Sequence, residues 1–139
     1  MDTVLLVDDD PKILRPLQIL LEADGYRVLT ALDGEIAAQV TATQRPDLIV
    51  TDWMMPRMDG IALCQWLKAD GATADIPVVM LSAAHPPNAA HSSLWNIALQ
   101  KPTSIVRLLN VISRLIEEQR PVLTYRQPGT SPGIDTSQR

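Results

Sequence analysis

Carboxylate side chains directly follow two short apolar runs in this sequence. Asp8 and Asp9 come after residues 4–7, and Asp52 comes after residues 48–51. If the two runs are neighbouring strands of a parallel sheet, these carboxylates converge at its carboxyl edge, where open α/β sheets bind ligands. Such a cluster is unfavourable unless a cation neutralises it or protons are shared. An oxygen-only cluster without Cys or His suits a hard cation such as Mg2+.

A hydroxyl and a lysine follow the next two apolar runs. Ser82 comes after residues 76–81, and Lys101 comes shortly after residues 97–99. On the opposite rim of the same edge, both side chains could donate hydrogen bonds to a tetrahedral dianion. A nucleophile, a metal that bridges phosphoryl oxygens and a positive charge for the remaining oxygens are what phosphoryl transfer requires. The residue types therefore match the needs of phosphoryl transfer.

Short apolar runs alternate with longer amphipathic stretches, which is typical of repeated βα units. Right-handed crossovers then give a parallel sheet with helices on both faces, so the fold class is a doubly wound (βα)5. We expect strands at residues 4–7, 26–30, 48–51, 76–81 and 97–99, and helices at residues 11–24, 34–43, 60–69 and 105–120.

Prolines make two helical segments uncertain. Pro16 lies inside the first predicted helix and cannot donate a backbone hydrogen bond, so we expect a kink or a later start. Pro86-Pro87 excludes a regular helix between the last two strands until Asn88 or beyond.

The chain divides at Arg120 by composition. Residues 1–120 carry the βα pattern, whereas residues 121–139 are rich in Pro, Gly, Ser and Thr. We expect one folded domain followed by a disordered polar tail, which is too short and polar to fold as a DNA-binding module.

Bulk composition excludes several classes of protein. The 139 residues are 46% hydrophobic and 20% charged with a net charge of −4, which favours neither a nucleic-acid nor an anionic-membrane surface. The single cysteine, Cys64, cannot form an intrachain disulfide. No apolar run approaches the roughly 20 residues of a membrane span, and no basic region suggests a secretory signal. We therefore expect a cytoplasmic protein.

Taken in order, the motifs resemble the receiver domains of response regulators in bacterial two-component systems. The resemblance covers about residues 3–119 and implies a flavodoxin-like sheet with strand order 2-1-3-4-5. It rests on Asp8-Asp9, Asp52, Met55-Pro56, Met58-Asp59-Gly60, Ser82-Ala83 and Lys101-Pro102.

The resemblance also implies a role for each acidic residue. Asp52 would accept the phosphoryl group from a sensor histidine kinase or a phosphotransfer protein. Asp9 and Asp52 would bind Mg2+ directly, while Asp8 would act through water. The backbone carbonyl of Met54 would complete the protein ligands of the metal.

Ser82 and Lys101 would hold the phosphoryl oxygens, and Lys101-Pro102 would be joined by a cis peptide. By the same resemblance, the domain would catalyse only its own phosphorylation and dephosphorylation and would switch the binding of a downstream protein target. A homodimer is left open.

Departures from the family pattern concern the transmission of the signal rather than the acidic cluster. Lys101 lies 19 positions after Ser82, a shorter span than is usual in the family. Ala98 stands where many relatives carry an aromatic residue, and Thr103 stands where Phe often follows Lys-Pro. We therefore predict that phosphorylation acts through ordering of residues 82–96 instead of through an aromatic side chain.

Two apolar residues at the rim of the site predict a long-lived phosphorylated state. Met54 and Ala84 occupy positions that, in relatives, help or hinder the hydrolytic water. Neither side chain can orient water by hydrogen bonding, so we predict slow autodephosphorylation.

Three other functions deserve comparison. Asp8-Asp9-Asp10 contains the Asp-x-Asp of haloacid-dehalogenase-type phosphatases, but that chemistry needs a later acidic pair, and after Lys101 only Glu117-Glu118 and Asp135 remain. A flavodoxin-like cofactor domain would need a Ser/Thr/Gly loop after the first strand, since three aspartates repel a phosphate. A pseudo-receiver usually lacks an acidic residue or the lysine, and neither is lost here.

Overall fold

The computed structural model describes residues 1–83 and 93–120 of the chain. Within them, five parallel strands form one sheet in the order β2-β1-β3-β4-β5. The strands are β1 (Thr3–Val7), β2 (Arg27–Ala31), β3 (Leu48–Asp52), β4 (Val78–Ser82) and β5 (Ile97–Gln100). The helices of the described part are α1 (Pro11–Ala23), α2 (Gly34–Gln44), α3 (Gly60–Lys68) and α4 (Ile105–Gln119).

The strand order confirms the doubly wound, flavodoxin-like sheet that the sequence predicts. Each predicted strand is present, with ends that differ from the prediction by at most two residues. The segment between β4 and β5, where Pro86-Pro87 was expected to delay a helix, lies mostly outside the described residues.

The two faces of the sheet bury alternate residues of each central strand, because successive side chains of a strand point to opposite faces. In β1, Val4 and Leu6 pack with α1 and α4, whereas Leu5 and Val7 pack with α2 and α3. The same alternation continues in β3 and β4. Both faces being covered explains why these strands read as continuous apolar runs.

Each described helix begins with a side-chain cap that satisfies a free backbone N–H of its first turn. Three of these caps are aspartates in the loops that follow β1, β2 and β3, so capping also fixes where those loops end. The capping bonds are Asp10 to Lys12 N (2.9 Å), Asp33 to Ile36 N (2.8 Å), Asp59 to Ala62 N (2.8 Å) and Ser104 to Arg107 N (3.0 Å).

Helix α1 excludes one of the two effects expected of Pro16, which were a kink or a later start. It begins at Pro11 and continues through Pro16 to Ala23, so the predicted late start is wrong. Pro16 lacks the N–H that would donate to the backbone carbonyl four residues earlier, but Pro16 is on the exposed side of the helix, where water can hydrogen-bond to that carbonyl instead. The buried residues Leu14 and Leu21 hold the helix on the sheet.

Gly60 allows the first turn of α3 to lie directly against the end of β3. Its N–H donates to the carbonyl oxygen of Trp53 at 2.7 Å. A Cβ added at Gly60 would lie 2.4 Å from the carbonyl oxygen of Asp52 and 3.0 Å from the Cα of Trp53, both backbone atoms. The glycine is therefore required by the close approach of two backbone segments.

We predict that Gly60→Ala lowers the free energy of unfolding by about 1–3 kcal/mol, as overpacking in a closely packed region does. Gly71→Ala is the matched control, because no atom of the described residues lies within 4 Å of a Cβ at that position. Urea unfolding of both variants measures the difference, and the control is expected to stay within about 0.5 kcal/mol of the wild type. Equal stability of the two variants would contradict the close approach.

Candidate functional site

Strand register brings the acidic residues of the first and third strands together. Val7 pairs with Thr51, so Asp8 and Asp52 follow at the same level on adjacent strands. One carboxylate oxygen from each of Asp8, Asp9 and Asp52 lies within 4.8 Å of the others. The convergence that the sequence pattern predicted is therefore present in the fold.

Burial differs among the three carboxylates. The side chain of Asp8 is 7% exposed and that of Asp52 is 14% exposed, whereas Asp9 is exposed to solvent. Asp8 Oδ1 accepts a hydrogen bond from the backbone N–H of Asp10 at 2.9 Å. One face of the cluster is thus enclosed by protein, and Asp9 lies on its open side.

Lys101 reaches the acidic cluster from the opposite side of the sheet edge. Its Nζ donates to Asp8 Oδ2 at 2.9 Å and lies 3.3 Å from Asp52 Oδ1. The backbone N–H of Lys101 donates to the carbonyl of Ser82 at 2.7 Å, which continues the pairing of β4 with β5. Because β4 lies between β3 and β5, the side chain of Lys101 extends past the end of β4 to reach the carboxylates.

Electrostatics at the cluster leaves Asp52 poorly stabilised as an anion. Burial raises the pKa of the Asp52 carboxyl above its ordinary value; Lys101 opposes this effect and the charge of Asp8 adds to it. For Lys101, burial lowers the pKa, but the hydrogen bond and charge of Asp8, together with Asp52, outweigh burial and raise the pKa. Lys101 is therefore protonated at neutral pH and does not by itself offset the burial of Asp52.

The residues present suit a divalent cation. Among the described residues the cluster offers three carboxylates and no Cys or His, and an oxygen-only donor set of this kind fits Mg2+. Asp9 is exposed, so hydrated ions have access to the cluster.

Ser82 and Met54 lie at the same edge of the sheet. Ser82 is buried at the end of β4, one residue beyond Leu81, which pairs with Asp52. Met54 follows Asp52 by two residues in the β3–α3 loop, and the residue is 68% exposed. Lys101-Pro102 is a cis peptide, as the resemblance implies.

A contact between two loops was not found by the sequence analysis. Asp33, which is fully buried, accepts a hydrogen bond from Arg57 Nε at 2.8 Å and pairs with the guanidinium through Nη2 as well. The hydrogen bond from the Ile36 amide, helped by Arg57, outweighs burial and holds the pKa of Asp33 below its usual value. In the sequence, Asp33 before Gly34 indicates only a helix N-cap, and nothing in that pattern identifies Arg57 as a partner.

Several expectations fall on residues that lie outside the described part. Ala84 is one of them, and the predicted ordering of residues 82–96 concerns mainly residues 84–92. Ala98 is exposed on β5, and Thr103 is partly exposed after the cis peptide. Among the described residues, none of the helices is long and apolar enough to cross a membrane.

Comparison with protein-family models gives a match over most of the chain. Residues 4–113 match the model of the response regulator receiver domain.

Curated relatives are similar over the receiver part of longer proteins. The DNA-binding dual master transcriptional regulator RpaA of Synechocystis is 50% identical over 84 residues, which are 60% of this chain and 34% of that protein. The phosphate regulon transcriptional regulatory protein PhoB of Pseudomonas aeruginosa is 43% identical over 81 residues, 58% of this chain and 35% of that protein. The matched part thus spans about a third of the length of these relatives.

Solved structures agree with the sequence comparison. The receiver domain of a Francisella response regulator superposes with a TM-score of 0.79 at 32% identity, covering 86% of this chain and 100% of that one. The response regulator TrrA of Thermotoga maritima, solved in complex with Mg2+ and BeF, gives 0.76 at 26% identity, covering 83% and 99%. With the strand order and the acidic edge of the sheet, these matches show that the chain belongs to the response regulator receiver domains, the phosphoryl-accepting domains of two-component signalling.

Proposed function

We propose that Asp52 is the residue that accepts the phosphoryl group, from a sensor histidine kinase or a phosphotransfer protein. The observation that carries this assignment is the position of Lys101 Nζ, 2.9 Å from Asp8 and 3.3 Å from Asp52 at the carboxyl edge of the sheet. Asp8 is the more buried of these two carboxylates and already accepts hydrogen bonds from Lys101 Nζ and the Asp10 N–H, whereas Asp52, the last residue of β3, is the more accessible of the two. Phosphorylation would then switch the binding of a downstream protein target.

The metal ligands that we propose are Asp9, Asp52 and the backbone carbonyl of Met54, with Asp8 acting through water. Support comes from the three converging carboxylates and from the exposure of Asp9 on their open side. When bound, Mg2+ would neutralise charge on the carboxylates and on the phosphoryl oxygens.

The chain's own residues account for the remaining requirements of the transfer. A carboxylate oxygen of Asp52 forms the new bond to phosphorus, while the bond to the donor's leaving group breaks and its electron pair leaves with that group. Lys101 carries the positive charge that offsets the charge on the phosphoryl oxygens, and the Ser82 hydroxyl donates to one of them. Asp8, which already accepts a hydrogen bond from Lys101, orients the ammonium group towards Asp52.

Wider features of the protein are also proposals. We propose a receiver domain at residues 1–120 with a polar tail at residues 121–139, which lie outside the described part. We further propose a cytoplasmic location, no direct contact with nucleic acid or membrane, and no catalysis beyond the domain's own phosphorylation and dephosphorylation. The net charge of −4 supports this proposal, because a negatively charged protein is not attracted to nucleic acid or to an anionic membrane. A homodimer is compatible with these proposals.

Asp52→Asn is expected to abolish phosphorylation of the isolated chain by acetyl phosphate, because the amide cannot act as the nucleophile. Intact-mass measurement with Mg2+ should find one phosphoryl group on the wild type and none on the variant or on chelator-treated wild type. Asp47→Asn is the matched control: Asp47 precedes β3 and binds Thr3 N at 2.8 Å, at the other end of the sheet. Equal labelling with and without Mg2+ would refute the proposed site.

Lys101→Met is expected to slow phosphorylation at saturating Mg2+ by about tenfold or more, since it removes a charged donor from the site. Methionine keeps the length of the side chain, so packing of its stem is preserved. The initial rate of mass labelling measures the effect, with Lys68→Met as control because Lys68, the last residue of α3, donates to the Ala74 carbonyl in the following loop. An unchanged rate would remove Lys101 from the transfer step.

Met54→Asn is expected to shorten the half-life of the phosphorylated protein several-fold. The exposed methionine offers water only a weak thioether acceptor, whereas an amide at that position can both donate to a water molecule and accept from it, and so orient it. Decay of the phosphorylated mass after removal of acetyl phosphate gives the half-life, and Met54→Leu serves as the apolar control. A half-life equal in all three proteins would argue against slow autodephosphorylation arising at this rim position.

A further inference from the structure

The β3–α3 loop, residues 53–59, is attached to the β2–α2 loop in its second half. Arg57 Nε donates to Asp33 Oδ2 at 2.8 Å, and Nη2 of the same guanidinium also contacts that oxygen. The neighbouring Met58 carbonyl accepts a hydrogen bond from the Gly34 N–H at 3.0 Å, and a Cβ at Gly34 would lie 2.3 Å from that oxygen. A side-chain contact and a backbone contact therefore join the two loops at adjacent residues.

Asp33 is the fixed member of the ion pair. Its side chain is fully buried, and its Oδ1 is already engaged in capping α2 through Ile36 N. Arg57, in contrast, has a side chain that is 59% exposed on a loop. The pair therefore constrains the loop that carries Arg57 relative to a helix that is packed on the sheet.

Arg57 also adopts a backbone conformation that a residue with a Cβ avoids. Its φ is 66°, in the left-handed region. That conformation is unfavourable for such a residue, and it persists only where surrounding contacts fix it. Glycine or asparagine would adopt the same backbone more easily but would bring no guanidinium to Asp33.

Met54 lies on the short stretch between two fixed points of this loop. On one side, Asp52 is held in the sheet by its pairing with Leu81. On the other side, Arg57 and Met58 are held by the β2–α2 loop. The direction of the Met54 carbonyl therefore depends on both points of attachment.

We propose that Arg57, through its ion pair with Asp33, is a positioning residue that sets the β3–α3 loop so that the Met54 carbonyl serves the divalent cation. The inference rests on the proposed function, because it concerns the metal of that same site. Partners that orient metal ligands typically change metal affinity by about 10–100-fold when they are removed.

The test is calorimetric titration of the intact chain with MgCl2 in the absence of any phosphoryl donor. Arg57→Gly should weaken Mg2+ binding by about tenfold, because it keeps the φ of 66° accessible but removes the guanidinium. Arg57→Lys should give an intermediate affinity, since the ammonium keeps the charge but not the two-pronged contact.

Arg45→Gly is the matched control. Arg45 also has a positive φ, of 27°, and its Nε donates to the Ala72 carbonyl at 2.9 Å, but it precedes β3 at the opposite end of the sheet. Its replacement should leave the Mg2+ affinity within about twofold of the wild type, a change well below the range for residues that orient metal ligands. Thermal melts of both glycine variants separate loss of stability from loss of affinity.

A double-mutant cycle with Asp33→Asn tests whether the two residues act as one unit. Asparagine can still cap α2, so the change is directed at Arg57. If the pair positions the loop, the double variant binds Mg2+ no more weakly than the weaker single variant. Additive losses, or an Arg57→Gly protein that binds Mg2+ as the wild type does, would overturn the positioning role. Failure of the wild type itself to label at Asp52 would overturn the proposed function instead.

Discussion

Repulsion among carboxylates at one edge of the sheet governs the electrostatics of the site. Parallel pairing of β1 with β3 forces Asp8 and Asp52 to the same level, and the turn after β1 adds Asp9. Lys101 offsets part of this charge, but burial still raises the pKa of Asp52. An arrangement that is costly without a cation is therefore built into the fold.

The strands and helices were predictable from periodicity, whereas the strand order, and with it the position of the site, was implied by the resemblance to receiver domains. Continuous apolar runs predict strands covered on two faces, and Asp10 and Asp59 predict helix starts, so the carboxyl ends of the strands could be located along the chain. Once the strand order is 2-1-3-4-5, Asp8, Asp52 and Lys101 must approach one another.

The parts that could not be predicted depend on tertiary geometry. Arg57 looks like any surface arginine in the sequence, and its contact with Asp33 arises only when the loops after β2 and β3 are brought side by side. Pro16 was expected to kink α1 or delay its start, but the helix begins at Pro11, and two buried leucines hold it against the sheet. Local sequence patterns identify the strands and helices, whereas contacts between loops depend on how distant parts of the chain are brought together.

Among the described residues, alternation within the strands divides the interior into two hydrophobic compartments with no side chain in common. Ile49 belongs to the compartment under α2 and α3, while its neighbour Val50 belongs to the compartment under α1 and α4. The two compartments lie on opposite faces of the sheet, and the sheet backbone separates them. A substitution that repacks one compartment can therefore leave the opposite helical layer undisturbed, so the two outer surfaces of the domain are free to diverge separately around a common edge.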